Sequence, residues 1–350
     1  MTKAIRTAIL GASGYTGADA MRLALRHPNL EIVTLTANTH AGKSVGEVFE
    51  HLRGFDLPDL VALDDVVWTD VDLVICALPH GTTQATTKAI RAANPTCVVV
   101  DMSADFRLRD VETYAHWYGA SHAAPLLQGE AAYGLTEHNR EAIGGAKIIA
   151  CPGCFPTAAL TALIPPLSAD LISTDDIIID AKTGLSGAGR GLKQAMLLSE
   201  AGEGTSPYGV GHHRHMPEIE QELTKVAGVA VNVGFTPHLV PMVRGELLTC
   251  HVKLADGANA ASVRHALKDR YDAEPFVLVL DEGQTPKTQN VRGSNVVHIA
   301  VFEDRLPGRV IIIAALDNLV KGSAGQALQN VNVAFGLEET LGLKQVALFP

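Results

Sequence analysis

Short apolar runs alternate with longer segments that carry apolar residues on one face through the first half of the chain. Near-continuous apolar runs are typical of strands that are covered on both faces in a parallel sheet. The sequence predicts such strands over residues 5–10, 31–37, 73–78, 96–102 and 146–150. Helices are predicted between and after them, over residues 18–26, 82–93 and 157–167. Alternation of this kind predicts an α/β domain with a parallel sheet.

The pattern changes in the second half, where strands follow one another with few helices. Strands are predicted over residues 177–182, 229–235, 246–254, 276–280, 296–302 and 309–315. One strong helix, Ala260–Tyr271, lies among the later strands, and residues 320–341 are predicted as a helix that packs back on the first half. This order predicts an α+β domain with a mixed, largely antiparallel sheet. We therefore divide the chain into residues 1–151 with 322–350, and residues 152–321.

Composition narrows the class of protein. The 350 residues are 47% hydrophobic and 19% charged, which favours two well-packed domains. A net charge of −10 argues against a nucleic-acid partner, and no apolar run approaches the roughly 20 residues that span a bilayer. Residues 1–6 run directly into a strand without a signal-peptide pattern, and five cysteines suit a reducing compartment. We predict a cytoplasmic protein that binds no membrane.

A glycine-rich turn joins the first predicted strand to the first helix. Its sequence is Gly11-Ala12-Ser13-Gly14-Tyr15-Thr16-Gly17. Glycines at such a turn let backbone N–H groups approach a pyrophosphate at the helix N-terminus. Strand, glycine turn, helix and strand within about 30 residues form the context of a dinucleotide fingerprint. The spacing G-x-x-G-x-x-G differs from the usual one, and the alternative is a tight turn without a ligand.

The end of the second strand bears on which dinucleotide binds. A carboxylate there usually holds the ribose of NAD. This chain has Thr39, His40 and Lys43 in that stretch and no carboxylate, so NADP is favoured although no arginine is present to hold the 2′-phosphate. Two further segments, 79–82 and 103–107, follow strand ends where ligands of open α/β sheets bind. Arg107 is a candidate anion contact there, and the alternative is a surface arginine paired with Asp105.

A strand-to-helix turn near the middle of the chain carries two cysteines in the sequence Ala150-Cys151-Pro152-Gly153-Cys154-Phe155-Pro156-Thr157. A helix N-terminus favours thiolate over thiol, so a cysteine at this turn is a candidate nucleophile. The alternative is a buried thiol without chemistry. The C-x-x-C spacing also fits a thiol–disulfide oxidoreductase, but the surrounding pattern is not that of a small thioredoxin-like domain.

Two polar loops in the second half are candidates for chemistry. Residues 183–190 are rich in glycine and could hold an anion or serve as a flexible connector. Residues 211–220 carry His212, His213 and His215 beside acidic residues. They could bind a metal, exchange protons or form a solvated loop. No companion pair stands at zinc-ligand spacing, so we predict no metal site.

Several of these motifs together resemble one family, N-acetyl-γ-glutamyl-phosphate reductase of arginine biosynthesis, which is related to aspartate-semialdehyde dehydrogenase. The resemblance runs in order from about residue 5 to the C-terminus. The motifs that carry it are the glycine turn, residues 152–157, the stretch His213-Arg214-His215-x-Pro217-Glu218-Ile219, residues 237–245 and residues 317–322. The resemblance supports a Rossmann-like NAD(P)-binding domain followed by a catalytic and oligomerisation domain.

The resemblance implies NADPH-dependent reduction of an acyl phosphate to an aldehyde, with release of inorganic phosphate. Cys154 matches the nucleophile, which would form a thioester, and Cys151 does not. His213 best matches the acid–base residue that takes the thiol proton, with His215 a close second. The predicted cofactor contacts are Gly11, Ser13, Gly14, Tyr15, Thr16, Gly17, Thr39, Pro79, Ser186, Gly187, Asn318 and Gly322. The predicted substrate contacts are Arg107, Arg244 and Glu218.

Two alternatives to this function stay open on the sequence. The same chemistry could act on an aminoadipyl phosphate of lysine biosynthesis or on another acyl phosphate. A protein that senses NAD(P) without catalysis is also possible, although it leaves the cysteine and histidine motifs without a purpose. The family assembles, so we predict a homodimer or a homotetramer.

Overall fold

The structure, a computed structural model, describes residues 4–350 and forms two compact units. The first unit contains residues 4–153 with Ser323–Lys344, and the second contains Cys154–Gly322 with Gln345–Pro350. The prediction assigned all of 322–350 to the first domain, whereas Gln345–Pro350 cluster with the second unit. There the Leu348 N–H donates to the Arg292 carbonyl at 2.7 Å. Residues 1–3 of the predicted first domain lie outside the described residues.

The first unit is built on a seven-stranded sheet in which all neighbouring strands are parallel. Its strands are β1 (Ile5–Leu10), β2 (Leu30–Thr36), β3 (Leu60–Val61), β4 (Leu73–Cys76), β5 (Val98–Asp101), β6 (Ala131–Tyr133) and β7 (Ile148–Ala150). Their order is β3-β2-β1-β4-β5-β7-β6. The direction of winding therefore reverses between β1 and β4, the point where open α/β sheets bind ligands. The predicted parallel sheet is confirmed, but the two short strands β3 and β6 were not predicted.

Helices connect these strands as the apolar pattern indicates. They are α1 (Tyr15–Ala24), α2 (Val45–Val48), α3 (Thr83–Ala93), α4 (Val111–Tyr118), α5 (Pro125–Gln128) and α6 (Thr136–Ile143). Three short 3₁₀ turns also lie here, at Glu50–Leu52, Leu63–Asp65 and Trp68–Asp70. Asp110 begins α4 by accepting the N–H groups of Glu112 and Thr113, a typical N-cap.

The second unit is built on a mixed seven-stranded sheet in the order β12-β13-β14-β11-β8-β10-β9. Its strands are β8 (Ile177–Gly184), β9 (Ser206–Pro207), β10 (Val233–Val240), β11 (Glu246–Lys253), β12 (Val277–Val279), β13 (Val297–Glu303) and β14 (Arg309–Leu316). The pairs β8/β10 and β12/β13 are parallel, and the other neighbours are antiparallel. The predicted mixed, largely antiparallel sheet is confirmed.

One strand of this sheet begins later than predicted. The prediction placed it over residues 229–235, whereas β10 begins at Val233 and continues through Pro237 to Val240. Proline has no N–H to donate, so it is tolerated where few ladder bonds are needed, as beside the two-residue edge strand β9. The Pro237 carbonyl accepts the Tyr208 N–H at 3.0 Å.

Four α-helices belong to the second unit: α7 (Cys154–Ser168), α8 (Leu198–Ala201), α9 (Met216–Ala227) and α10 (Ala260–Tyr271). Short 3₁₀ turns lie at Leu185–Ala188, Gln194–Met196 and Thr288–Asn290. Every residue of α7 from Phe155 to Leu167 is buried, as expected of a helix that is apolar on all sides. It begins at Cys154, three residues before the prediction, because Pro156 is acceptable in a first helical turn.

The last helical segment is shorter than predicted. A π-helical turn at Val320–Ala324 leads into α11 (Gly325–Ala334), and the helix ends well before residue 341. Gly336 follows with φ of 64°, in the left-handed region that ends helices. Within the first unit, Asn330 of α11 donates to the Gly134 carbonyl at 2.9 Å, and Asn332 lies 2.8 Å from His27 Nε2. Among residues 4–350, the structure has no helix long and apolar enough to cross a membrane.

Candidate active site

Cys154 is the first residue of α7, and its side chain is half-buried. The N–H groups of a first helical turn and the helix dipole favour thiolate over thiol. The other four cysteines are buried, and burial raises the pKa of each of their thiols: Cys76, Cys97, Cys151 and Cys250. The position of Cys154 is thus the one that suits a nucleophile.

Cys151 belongs to the interior of the first unit. Its sulfur accepts a hydrogen bond from Asn330 Nδ2 at 3.5 Å, and its residue surface is wholly buried. A thiol–disulfide oxidoreductase needs a thiolate that a partner can reach. Cys151 offers neither exposure nor a lowered pKa, so the structure disfavours dithiol exchange at this motif.

Gly322 packs directly against Cys154. A Cβ atom at position 322 would lie 2.7 Å from the Cys154 Cβ and 3.2 Å from its Cα. The backbone of Gly322 is held by its N–H, which donates to the Asp317 carbonyl at 3.0 Å. The missing side chain at position 322 is what allows the π-helical turn to approach the nucleophile.

Glu246 begins β11 and is completely buried. Neither carboxyl oxygen has a hydrogen bond of regular geometry within the described residues. The pKa of Glu246 is raised to about 8, chiefly by burial; hydrogen bonding with the Cys154 thiol acts in the opposite direction, and the charge of Asp317 adds a smaller rise. A buried carboxyl group that few partners stabilise therefore lies beside the candidate nucleophile.

Two more ionisable side chains surround this carboxyl group. Tyr208 is half-buried, and its pKa is raised by burial and then by the charges of Cys154 and Glu246. Asp317 is buried and accepts the N–H groups of Gly293, Leu319 and Val320 at 2.7–3.1 Å. These hydrogen bonds fix the position of the Asp317 side chain, whose charge acts on Glu246.

The predicted histidines lie together against aromatic side chains. The ring centroids of His213 and His215 are 4.8 Å apart, and each lies 5.7 Å from the ring of Phe155, the residue after Cys154. The ring of Tyr208 is 5.3 Å from that of His213. The structure thus gathers both histidines around the first turn of α7.

The hydrogen bonding of His213 limits what its ring can do. Burial and then the charge of Arg214 lower the pKa of His213 to about 4, so the ring is neutral at pH 7. Its Nδ1 accepts the N–H of His215 at 3.1 Å. In a neutral imidazole with Nδ1 as acceptor, Nε2 carries the hydrogen. His213 therefore presents a donor at Nε2.

The histidine motif runs into a helix that the sequence analysis interpreted as part of a loop. His215 is the N-cap of α9, Pro217 lies in the first turn, and Gly228 ends the helix with φ of 69°. Proline near the start and glycine just past the end are helix signals in the sequence. Glu218 lies in the first turn and is 1% exposed, so this predicted substrate contact is an interior side chain.

Hydrogen bonds hold most of the loop of residues 183–190, which argues against the alternative of a flexible connector. It consists of the end of β8 and the 3₁₀ turn Leu185–Ala188. The buried Asn318 side chain donates to Ser186 Oγ at 3.0 Å and accepts the Gly245 N–H at 2.8 Å. Gly187 lies beside this side chain: a Cβ added at Gly187 would be 3.9 Å from the amide nitrogen of Asn318. The predicted cofactor contacts Ser186, Gly187 and Asn318 are thus neighbours.

Arg244 lies at the end of the segment that supports this loop. One of its guanidinium nitrogens is 3.6 Å from Asp317, and its side chain is partly exposed. The N–H groups of Leu185 and Ser186 donate to the carbonyls of Met242 and Val243. Arg244 is therefore placed on a well-supported segment of the second unit, with part of its cation accessible to an anion.

In the first unit, the glycine turn has the backbone that a dinucleotide site needs. Gly11 has φ of 72°, and an added Cβ would lie 2.5 Å from the Ala77 carbonyl oxygen. An added Cβ at Gly17 would lie 2.5 Å from the Gly11 oxygen. Gly14 is the N-cap of α1, which has no side-chain cap, so Tyr15 and Thr16 begin a helix whose first N–H groups can face a phosphate. Ser13 lies within the same turn.

Two other predicted cofactor contacts follow the strands that flank β1. Thr39 is exposed just beyond β2, near the partly buried His40 and the exposed Lys43. Pro79 follows β4, where its carbonyl accepts the Thr82 hydroxyl at 2.6 Å. The same turn is held by Asp105, whose carboxylate accepts the N–H groups of Gly81 and Thr83. This order at the switch point fits a nicotinamide dinucleotide.

Arg107 is an interior residue of the first unit, with 8% of its surface exposed. Its Nε donates to the Cys151 carbonyl at 2.7 Å, and one terminal nitrogen donates to the Met102 carbonyl at 2.8 Å. Arg107 is therefore not a surface arginine, as the alternative had it. The guanidinium is held rigidly by backbone oxygens, which can preorganise a cation for an anion.

Glu246 and Tyr208 were not predicted as site residues. Residues 246–253 alternate between buried and half-exposed positions, and Glu246 falls in register with the buried residues Leu248, Cys250 and Val252. A carboxyl group among the inward-facing positions of an apolar strand is unusual, so the sequence does contain a signal that Glu246 could be a site residue. No pattern in the sequence marks Tyr208.

Two family models cover most of the chain. Residues 6–146 match the model described as "Semialdehyde dehydrogenase, NAD binding domain", and residues 154–318 match "Semialdehyde dehydrogenase, dimerisation domain". Among solved structures, aspartate semialdehyde dehydrogenase II from Vibrio cholerae superposes with a TM-score of 0.71 at 19% identity, covering 95% of this chain and 98% of that one. The NADP-bound aspartate semialdehyde dehydrogenase from Candida albicans has a TM-score of 0.69 at 18% identity, with the same coverage. These two structures show the shared fold.

Several reductases are much more similar to this chain in sequence than these two structures are. The probable N-acetyl-gamma-glutamyl-phosphate reductase, chloroplastic, of Arabidopsis thaliana is 53% identical over 349 residues, covering 99% of this chain and 86% of that protein. The N-acetyl-gamma-glutamyl-phosphate reductase of Afipia carboxidovorans is 53% identical over 350 residues, covering 99% of both chains. That of Rhodospirillum rubrum is 52% identical over the whole of both chains. The chain therefore belongs to the N-acetyl-γ-glutamyl-phosphate reductase family, a branch of the semialdehyde dehydrogenases.

Proposed function

We propose that this enzyme catalyses the NADPH-dependent reductive dephosphorylation of N-acetyl-γ-glutamyl phosphate to N-acetylglutamate 5-semialdehyde, a step of arginine biosynthesis. The observation that carries the proposal is the half-buried Cys154 at the start of helix α7, in which every residue from Phe155 to Leu167 is buried. Its relatives at 53% identity, matched over 99% of this chain, bear the name of this reductase. Oxidoreductases of the semialdehyde dehydrogenase family share the fold.

The residues of the first unit fit a nicotinamide cofactor. An added Cβ at Gly11 or Gly17 would collide with backbone atoms, so glycine is what allows this turn to close tightly, and the first N–H groups of α1 have no side-chain cap. When bound, the reduced cofactor supplies the hydride. The stretch 36–43 contains no carboxylate to repel a 2′-phosphate, and Thr39, His40 and Lys43 offer polar or cationic groups. We therefore favour NADPH over NADH, with Ser13, Pro79, Ser186, Gly187, Asn318 and Gly322 as further cofactor contacts.

Cys154 acts as the nucleophile in the proposed reaction. Its sulfur attacks the acyl carbon and displaces phosphate, which divides one difficult reduction into two easier steps through a thioester. A thioester accepts hydride more readily than an oxygen ester and has the better leaving group. After reduction, the carbon–sulfur bond breaks and the aldehyde leaves.

His213 and His215 assist this chemistry from their position around Phe155. The neutral His213 ring presents an Nε2 hydrogen, which suits stabilisation of negative charge that develops on a substrate oxygen. Glu218 lies in the first turn of α9, the helix that follows both histidines, and remains a predicted substrate contact. Arg107 and Arg244 remain the predicted contacts for the anionic groups of the substrate.

The proposal is tested in the reverse direction, because the aldehyde is the more stable reactant. Purified enzyme is mixed with N-acetylglutamate 5-semialdehyde, NADP and inorganic phosphate, and NADPH is followed by its absorbance. Formation of NADPH that requires all three supports the proposal, and no formation under these conditions overturns it. The semialdehyde derived from aminoadipate serves as the control substrate, and preference for it would favour the lysine pathway. NAD in place of NADP measures the cofactor preference.

Two cysteine variants test which sulfur reacts. Cys154→Ala should abolish NADPH formation and leave NADPH binding nearly unchanged. Cys151→Ser should have a modest effect because Cys151 is buried and bonded to Asn330. Loss of activity in both variants, with folding intact, would favour a dithiol mechanism instead. Cofactor binding without any reaction would favour a sensing protein.

The match of residues 154–318 to a dimerisation domain supports self-association, and we propose a homodimer or a homotetramer. Light scattering during gel filtration distinguishes these assemblies. All five cysteines are free, which is typical of proteins from a reducing compartment. We propose the cytoplasm on that ground.

A further inference from the structure

Asp317 is a buried acidic side chain that the mechanism above does not use. It directly follows strand β14, and its surface is 0% exposed. Its Oδ2 accepts the Gly293 N–H at 2.7 Å. Its Oδ1 accepts the N–H groups of Leu319 and Val320 at 2.9 and 3.1 Å. Backbone donors from two separate segments therefore hold this carboxyl group in one orientation.

The segment that Asp317 anchors also packs against the nucleophile. Val320 is the first residue of the π-helical turn, and the Asp317 carbonyl accepts the N–H of Gly322 within that turn at 3.0 Å. A Cβ added at Gly322 would lie 2.7 Å from the Cys154 Cβ. The Asp317 carboxyl group therefore has a fixed position relative to the start of α7, where Cys154 lies.

Arg244 forms an ion pair with the same carboxyl group. Its Nη1 lies 3.6 Å from Asp317 Oδ1, and its side chain is 27% exposed. The backbone around Arg244 is held tightly, because the Gly245 N–H donates to Asn318 Oδ1 at 2.8 Å. On the other side, a Cβ added at Gly184 would lie 3.0 Å from the Arg244 nitrogen. The long side chain is therefore the part of Arg244 that still has to be oriented by a partner.

We propose that Asp317 is a positioning residue that orients Arg244 towards an anionic group of the substrate. It acts through Arg244 and does not itself touch the reacting atoms. The inference rests on the proposed function and deepens it, because it explains how a predicted anion contact is held at a fixed place relative to Cys154. A guanidinium that is ordered in advance binds an anion more tightly, since its side-chain entropy is not lost again on binding.

The alternative is a purely structural role for Asp317, as an acceptor for the three backbone N–H groups. The two roles differ in what they require of the side chain. An oxygen acceptor is enough to hold the turn, whereas the ion pair with Arg244 requires a charge. A substitution that removes the charge and keeps an oxygen therefore distinguishes them.

Asp317→Asn is that substitution. Initial rates of NADPH formation give KM for inorganic phosphate and, separately, KM for N-acetylglutamate 5-semialdehyde with its carboxylate. The constant that Arg244→Ala raises, by roughly 10–100-fold, identifies the anion that Arg244 binds. Asp317→Asn should raise the same constant roughly 3–10-fold, the cost of ordering one long side chain. Turnover should change much less.

The double variant decides between the two roles. If Asp317 acts through Arg244, Asp317→Asn combined with Arg244→Ala should have the KM of Arg244→Ala alone. Independent effects would multiply, and that result overturns the proposal. An unchanged KM in either single variant overturns it as well.

Asp176→Asn is a matched control in the same unit. Asp176 also pairs with an arginine, since Arg309 Nη1 lies 2.6 Å from its carboxyl group. It precedes β8, whereas the loop beside Arg244 follows that strand. Its φ of 59° is one that asparagine tolerates. Both KM values should stay near wild type. A rise as large as that of Asp317→Asn would reflect a general effect of lost charge and contradicts the proposal.

A second variant covers the case in which Asp317→Asn does not fold. Asp317→Glu keeps the charge and displaces it by one methylene group, so it should raise the same KM and again add nothing in the Arg244→Ala background. If neither variant folds, Asp317 serves the fold rather than the site, and the proposal is lost.

The outcomes separate the two levels of inference. A wild-type enzyme that produces no NADPH from the semialdehyde refutes the proposed function. An active wild-type enzyme in which the effects at Asp317 and Arg244 multiply refutes the role of Asp317 alone.

Discussion

Gly322 touches Cys154 so closely that a single added methyl group would collide with it. The Cβ of an alanine at position 322 would lie 2.7 Å from the Cys154 Cβ, 3.2 Å from its Cα and 3.3 Å from Leu316 Cδ1. Two of these atoms belong to the nucleophile itself, and the nearest cannot move without moving the start of α7. Position 322 thus requires glycine because no larger residue fits beside Cys154.

Gly322→Ala should therefore displace Cys154 and slow the reaction. A displacement of about 1 Å at a reacting atom can lower turnover about 10²-fold, and overpacking costs about 1–3 kcal/mol of unfolding free energy. The measurements are turnover, the rate at which iodoacetamide alkylates Cys154, and the free energy of unfolding in urea.

Gly54→Ala is the control for that substitution. An added Cβ at Gly54 would meet no atom within 4 Å, so activity and stability should stay near wild type. If Gly322→Ala matches Gly54→Ala in both respects, the close packing is not needed for catalysis.

Much of the scaffold could be predicted because it follows from local pattern. The strand predicted over residues 5–10 is β1, and the strand predicted over residues 246–254 is β11, which runs from Glu246 to Lys253. Strands β3 and β6 were missed because two or three residues carry no periodicity. Helix α9 was missed although Pro217 and Gly228 mark its ends, because the three histidines before it are equally typical of a polar loop.

The sequence could predict those site residues that stand in a short motif of their own, and it could not predict those that only the fold brings to the site. Cys154 and His213 stand in motifs with recognisable residue types, so the sequence could name them. Glu246 lies 92 residues after Cys154 in the sequence, and only the folded sheet brings its carboxyl group to the thiol. The hydrogen bond that fixes the His213 ring was equally invisible, because it depends on backbone geometry.

The ring orientation of His213 leads to a comparison of two amide variants. A glutamine at position 213 can place an N–H donor near the original Nε2, whereas an asparagine amide reaches only the region of Nδ1. If the Nε2 hydrogen is what catalysis uses, His213→Asn should lower turnover roughly 10²–10⁴-fold. His213→Gln should retain clearly more activity. Steady-state turnover at pH 7 with saturating NADP and phosphate measures the difference.

The pH profile supplies a second check on His213. Burial and Arg214 lower its pKa to about 4, so its ionisation should leave no inflection in turnover between pH 5.5 and about 7.5. An inflection near 6.5 that His213→Gln removes would show that the ring titrates normally. A much greater loss in His215→Asn than in His213→Asn would assign the main role to His215.

The buried Glu246 carboxyl group should also make stability depend on pH, independently of catalysis. Its pKa is raised to about 8 in the folded protein from an ordinary 4.5, chiefly by burial. Between these two values the folded state holds a proton that the unfolded state has released, so stability falls as pH rises. The contribution is fully present below the unfolded pKa, falls by about 1.4 kcal/mol per pH unit within the window, and levels off above the folded pKa. Glu246→Gln removes this dependence because an amide does not ionise.

Urea unfolding at pH 5.5, 7 and 8.5 should therefore show that Glu246→Gln gains stability relative to wild type as pH rises. The control is Glu220→Gln, which should gain less because the pKa of Glu220 is less strongly raised and its carboxylate accepts the Val233 N–H. Parallel curves for Glu246→Gln and wild type would mean that the carboxyl group ionises as it does in water.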